Sequence, residues 1–131
     1  MSQTSTSTDS VRDLTRAVQA FVSDRDWEQF HGVKNLAIAL SVEAGEVLEH
    51  VLWKDSAALE ELLASDPSRR QRLEGELGDV FMCLLGLFDR LGADPGETLL
   101  RKLAETAEKY PVEAARGCSS KYSELDTPGG D

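Results

Sequence analysis

Basic residues are scarce in this chain: 14 Lys and Arg stand against 24 Asp and Glu, a formal charge of -10 over 131 residues. Nucleic-acid polymers and anionic membrane surfaces are bound mainly through Lys and Arg, so this balance argues against both as partners. An anionic ligand would need a bridging cation or a local basic patch. Cysteine is sparse as well. Cys83 and Cys118 are too few and too far apart for a disulfide framework or a zinc cluster, and two reduced thiols are expected. The opening MSQTSTSTDS has no basic n-region and no apolar run, so it reads as neither a signal nor a transit peptide. No apolar segment approaches the roughly 18 residues of a membrane span. A cytoplasmic protein with no membrane partner is expected. Strand-like alternation and internal repeats are also missing, which leaves an all-α architecture.

Hydrophobic residues at 40% and charged residues at 29% fit one soluble globular domain. Residues 1 to 9 read as a disordered tail. Ser10 can cap a first helix, with Asp13 three positions on and Val11, Leu14, Val18, Phe21 and Val22 at helical spacing. That helix should end near Asp24. DRDWEQFHGVKN then breaks the periodicity, and a second helix should run from near Lys34 to about Trp53. SAALEELLA suggests a short helix. Asp66 as a cap and Pro67 as a first helical residue open a third, to about Leu91. GADPGE stops it, and Asp94, Pro95 and Glu97 start a fourth, ending near Tyr110 and Pro111. A helical domain over 10 to 111 and an arm or flexible tail over 112 to 131 are expected.

The stretch EAGEVLEHVLW, residues 43 to 53, places Glu43, Glu46, His50 and Trp53 along one helical stripe. Leu40, Ala44, Val47, Leu48 and Val51 form another. The plain reading of such an acidic stripe is a solvated face. The third helix argues otherwise, because LGDVFMCLLGLFDRL, residues 77 to 91, is apolar on nearly every azimuth and is expected to be buried on most sides. Asp79 sits inside it, one turn from Glu76, and an unpaired buried ion costs several kcal/mol. Glu76 and Asp79 repeat the i, i+3 spacing of Glu43 and Glu46, so two such helices packed together would gather the carboxylates into one site. Their repulsion calls for hard divalent cations, and oxygen-only ligands favour Mg²⁺ or Mn²⁺. A di-iron centre would need Glu-x-x-His on the helices, and none is placed there. Gly75, Gly78 and Gly86 each weaken a helix by up to about 1 kcal/mol relative to Ala, so close helix approach is expected at them.

RDWEQFH at 25 to 31, NL at 35 to 36, EAGEVLEHVLW, ELGDV at 76 to 80, Lys102, Tyr110-Pro111 and KYSEL at 121 to 125 together resemble the MazG-like all-α nucleoside triphosphate pyrophosphohydrolases, in particular their dCTP pyrophosphatase branch. The resemblance covers roughly residues 11 to 125. A lone ExxE is common on helices; the specificity lies in its combination with ExxD and RDWEQFH. The resemblance implies a MazG-like bundle of about four core helices in a dimer or tetramer. It implies Mg²⁺ held by Glu43, Glu46, Glu76 and Asp79, and a nucleoside triphosphate substrate. Trp27, His31 and Trp53 match positions that help form the nucleotide pocket, Lys102 and Tyr110 match positions near the phosphates, and Lys121 and Tyr122 match a C-terminal segment. Three positions depart from the branch pattern, which has histidine where this chain has Val18, tyrosine at Cys83 and asparagine at Thr106.

The expected reaction is Mg²⁺-dependent hydrolysis of a dNTP, dCTP or a modified dCTP, to the monophosphate and pyrophosphate, serving nucleotide-pool cleansing. Glu46 or Glu49 would activate the water. Each pocket residue also has a plainer role: Trp27 and Trp53 as cover for core surface, His31 as a capping histidine, Lys102 as a solvated helix residue. Cys83 reads as an inert core thiol. Two rivals stand beside this reading. One is a related pyrophosphohydrolase acting on dUTP or another nucleotide. The other is a non-catalytic helical oligomerisation module whose carboxylates pair with Arg69, Arg70 or Lys54.

Overall fold

A computed structural model describes residues 10 to 125 of the chain. The expected tail over 1 to 9 and the last six residues of the expected arm lie outside the described residues. Helix α1 spans Val11–Ser23, and the Ser10 side chain caps it by accepting from the Asp13 amide at 3.1 Å. After Asp24 the chain turns back, with Asp26 in the left-handed region at φ 54°. A 3₁₀ turn over Glu28–Phe30 leads into α2, Val33–Val51. This helix stops two residues short of the expected end: Leu52 is extended, and Trp53 takes a left-handed backbone at φ 61°. Helix α3 spans Ser56–Ser65.

Helix α4, Pro67–Leu91, starts as its sequence predicts. Asp66 accepts from the Ser68 and Arg69 amides, each at 3.1 Å, and Pro67, which has no amide hydrogen to leave unpaired, occupies the first turn. Gly92, at φ 61°, closes it. Helix α5, Pro95–Lys109, is capped by Asp94, which accepts from Glu97 at 2.9 Å. Part of the expected C-terminal arm is ordered into a short helix, α6, Val112–Ala115, and a 3₁₀ turn over Tyr122–Glu124.

The chain divides into two compact units, Met1–Ala93 and Asp94–Asp131. In the first, α4 is the central element, packed most extensively on α2 and also on α1 and α3. Its core is small: Val22, Leu36, Cys83 and Leu85. In the second, α5 leads into a local aromatic contact, where Tyr110 and Tyr122 meet edge to face with ring centroids 6.0 Å apart. Among the described residues no helix is long and apolar enough to cross a membrane.

Two expectations about burial are corrected. Helix α4 is not enclosed on most sides within one chain, because Leu77, Phe81, Met82 and Leu91 are exposed while Cys83 and Leu85 are buried. Helix α2 is turned the other way from the plain amphipathic reading. Glu43, Glu46 and His50 are half-buried, whereas Ile38, Val42, Leu48 and Leu52 are exposed. The glycine expectation narrows in the same way. A Cβ at Gly86 would meet Leu36 Cδ1 at 3.4 Å, an ordinary van der Waals contact, so α2 and α4 touch there without requiring glycine, while one at Gly75 or Gly78 would meet open space.

Candidate metal centre

The contact of Gly86 with Leu36 and that of Glu76 with Glu46 set α2 and α4 antiparallel, each step back along α4 matching a step forward along α2. That register sets Glu46 opposite Glu76 and brings Asp79 level with Glu43. Carboxylate oxygens of Glu43, Glu46 and Glu76, all half-buried, lie within 4.8 Å of one another. Asp79 stands outside this group, one turn along α4, also half-buried. Its charge and that of Glu43 both act on Cys83, whose thiol is held above its ordinary value by burial first and by these two anions second. Cys83 is therefore protonated and inert as a nucleophile. Glu49 is exposed and not a member of the group.

The cluster shows the strain of like charge. The Glu46 carboxyl is raised above its ordinary range, chiefly by a hydrogen bond with Glu76, then by the charges of Glu43 and Glu76. Three carboxylates this close together are short of positive charge. The remaining partner comes from a residue that spacing had placed on the stripe but to which no role was given: His50 Nε2 lies 3.3 Å from Glu76 Oε1. The cations that the oligomerisation reading would pair with the cluster are engaged elsewhere. Arg69 approaches Asp66 at 3.9 Å, Arg70 meets Glu74 at 2.8 Å, and Lys54 donates to the Leu52 carbonyl at 3.3 Å. An all-oxygen donor set, half-buried and crowded with like charge, fits a hard divalent cation.

Glu43 also lines an open cavity of about 840 Å³ between α1, α2, α4 and the connection that carries Trp27 and His31. The two rings form one wall, with centroids 6.2 Å apart and planes inclined at 32°. Phe21 packs edge-on against Trp27 at 5.8 Å, and the Arg25 guanidinium covers Phe21 at 3.7 Å. Val18 and Cys83, two of the departures from the branch pattern, line the same cavity. Trp53 does not line it; the residue is 93% exposed beyond the end of α2.

The wall stands on residues 24 to 32, which hang from the last turn of α1 by backbone bonds, the Arg25 and Trp27 amides both donating to the Val22 carbonyl, and which close one 3₁₀ turn. Side chains add to these bonds. Asn35 Nδ2 donates to the Phe30 carbonyl at 2.9 Å, Gln29 Nε2 to the Asp26 carbonyl at 3.0 Å, and Arg90 Nε to the His31 carbonyl at 2.6 Å. Arg90 Nη2 also donates to the Glu28 carbonyl. Gln19 Nε2 ties α1 to α4 through Asp89 Oδ1 at 2.6 Å.

The other expected site residues lie in the second unit. Lys102 Nζ pairs with Glu105 Oε2 at 2.8 Å. Tyr122 carries the Tyr110 ring on one side and has Lys109 Nζ at 5.4 Å and Lys121 Nζ at 6.0 Å from its centroid.

Fold and site define an all-α protein with a helix-borne carboxylate centre opening on a cavity large enough for a small organic ligand. The chain belongs to the MazG-like family, whose model matches residues 38–125. It is 37% identical over 115 residues to dCTP pyrophosphatase 1 of Homo sapiens, and 36% identical over 115 residues to dCTP pyrophosphatase 1 of Rattus norvegicus; each alignment takes in 88% of this chain and 67% of the relative. The crystal structure of a pyrophosphatase from Archaeoglobus fulgidus superposes with a TM-score of 0.71 at 34% identity, covering 76% of this chain and 91% of that one.

Proposed function

We propose that this chain is a Mg²⁺-dependent nucleoside triphosphate pyrophosphohydrolase that converts a dNTP, dCTP or a modified dCTP, to the monophosphate and pyrophosphate. The observation that carries the reading is Glu43, which belongs both to the carboxylate cluster and to the lining of the Trp27–His31 cavity. A triphosphate held at the cluster would have its base within the cavity. The relatives named dCTP pyrophosphatase support the choice of base.

Glu43, Glu46 and Glu76 would hold the metal, with Asp79 one turn further along α4 completing the set. Bound there, a divalent cation would neutralise charge on the departing pyrophosphate and lower the pKa of water. The chain's own residues do the rest. Trp27 offers a flat face to the base, worth about 1–3 kcal/mol by stacking without a hydrogen-bond code. His31, beside it on the same wall, donates to or accepts from the base or sugar. His50 holds Glu76 in place through its Nε2 contact. Glu46, with a carboxylate oxygen within 4.8 Å of those of Glu43 and Glu76, would take a proton from the water that attacks the α-phosphorus. Glu49, exposed and outside the cluster, is the weaker candidate for that step. Assignments of Lys102, Tyr110, Lys121 and Tyr122 to the substrate rest on the sequence resemblance.

Nucleotide-pool cleansing, the removal of surplus or modified dNTPs before polymerases use them, is the role this chemistry suits. Oligomerisation is proposed with it. Ile38, Val42, Leu48, Leu77 and Phe81 are exposed apolar side chains on the two helices that carry the cluster, more than a lone small chain ordinarily leaves to water on one pair of helices. Light scattering should give a dimer or tetramer; a monodisperse monomer overturns that part.

Ion-exchange separation of products, after incubation with Mg²⁺ and a panel of dNTPs and NTPs, tests the reaction. Monophosphate and pyrophosphate should appear fastest from dCTP and should vanish in excess chelator. Turnover that persists in chelator excludes the metal site, and faster turnover of dUTP moves the chain to the related substrate class.

A further inference from the structure

The cavity's two ends are built differently, and one side chain joins them. Trp27 and His31 flank a single 3₁₀ turn that makes two backbone bonds of its own, from the Phe30 amide to Trp27 and from the His31 amide to Glu28, and side chains from α2 and α4 add further donors to its carbonyls. Asn35 supplies one, to Phe30. Arg90 supplies two, from Nε to His31 and from Nη2 to Glu28. These are charge-assisted bonds from a planar fork, a geometry that a single ammonium cannot reproduce. Arg90 lies in the last turn of α4, the helix that also carries Glu76 and Asp79. The turn and the cluster are thereby referenced to the same rod.

We infer that Arg90 is a positioning residue for the proposed reaction: its guanidinium clamps the Glu28–His31 turn to α4 and so fixes the Trp27–His31 wall relative to the carboxylates. The inference rests on the nucleotide reading for its kinetic consequence, not for its geometry. Two of the guanidinium's donors are committed to peptide carbonyls, so Arg90 acts through the wall rather than as a free anion site. A wall that drifts weakens capture of the base. It leaves the carboxylates, which stand on α2 and α4, where they were.

The test uses the full chain carrying Arg90→Met, which keeps an unbranched apolar stem and removes the fork. KM for dCTP should rise about tenfold or more, the loss that follows from removing hydrogen bonds of a charged donor, while kcat stays within about twofold and Mn²⁺ titration is unchanged. Acrylamide quenching of Trp27, read in a Trp53→Phe background, should increase in Arg90→Met. Arg90→Lys, able to reach one carbonyl, should fall between wild type and Arg90→Met in both readouts, and it serves alone if Arg90→Met does not fold. An unchanged KM together with unchanged Trp27 quenching overturns the clamp. So does a fall in kcat with KM unaltered. If the wild-type chain turns over no nucleotide, the nucleotide reading fails, while the quenching comparison still decides whether Arg90 holds the wall.

Discussion

The carboxylate end and the aromatic end of the cavity solve the same problem, holding a side chain still, by opposite means. Glu43, Glu46 and Glu76 stand on long helices, where backbone hydrogen bonds fix each Cα and the i, i+3 spacing aims the side chains. Trp27 and His31 stand on a connection that has one 3₁₀ turn, a few backbone bonds back to α1, and side-chain bonds from Asn35, Gln29 and Arg90. The first arrangement tolerates like charge because the rods cannot easily move apart; the second tolerates irregular backbone because side chains complete it. Chemistry that needs fixed oxygens is placed on the first, and recognition of a flat base on the second.

The largest effect expected from breaking the carboxylate end is that of Glu46→Gln. Losing a ligand that also takes a proton should lower kcat on the order of a thousandfold, the equivalent of several kcal/mol of transition-state stabilisation. Circular dichroism should remain helical, and retained turnover would remove Glu46 from the site. Leu85→Ala strikes both ends together. Leu85 is 2% exposed on the face of α4 that supports the cavity, and its truncation should cost about 2–5 kcal/mol in urea denaturation. A smaller loss would mean that α4 is not the common support.

Trp27→Ala should damage only the aromatic end, raising KM by about tenfold to a hundredfold with kcat preserved, as loss of stacking worth about 1–3 kcal/mol predicts. Parallel loss of kcat would show that the two ends are not separable. His50→Ala sharpens the other end: with Glu76 no longer held, Mn²⁺ affinity should weaken by about tenfold in a direct titration, while nucleotide-independent folding is preserved. The smallest effect is electrostatic. Because the Glu46 carboxyl is raised, its folded form holds a proton more tightly than its unfolded form. Its contribution to stability is complete below the ordinary carboxylate value and is lost as pH rises through the folded value. In chelator, the melting temperature between about pH 4 and pH 7 should therefore fall more for wild type than for Glu46→Gln, and added Mg²⁺ should close the gap. Identical pH profiles would mean that the carboxylates do not burden the fold.

The same contrast explains what could be read in the sequence. Helix starts were legible because caps are local: Ser10 with Asp13, Asp66 with Pro67, Asp94 with Glu97. The cluster was legible because periodicity puts Glu43 and Glu46 on one face and Glu76 on another of matching pattern. Periodicity names the members of a face but not the direction it points, so the exposure of Ile38, Val42 and Leu48 and the half-burial of the glutamates came only from the structure. The end of α2 was missed because Trp53 continues the stripe while its backbone has already left the helix. Arg90 was out of reach altogether. Its partners lie 59 and 62 residues away and are backbone carbonyls, which carry no residue-type signal.

Gly86 has a mechanical consequence. It lies ten residues from Glu76, about 15 Å along the rod at the usual rise, and the Leu36 side chain beside it lies ten residues from Glu46. Equal spacing on both rods makes the two contacts a pair of pegs on one ruler. Sliding α4 past α2 by a turn would separate Gly86 from Leu36 and Glu76 from Glu46 together. The alignment of the cluster is thus shared with a contact about 15 Å away that touches neither metal nor phosphate.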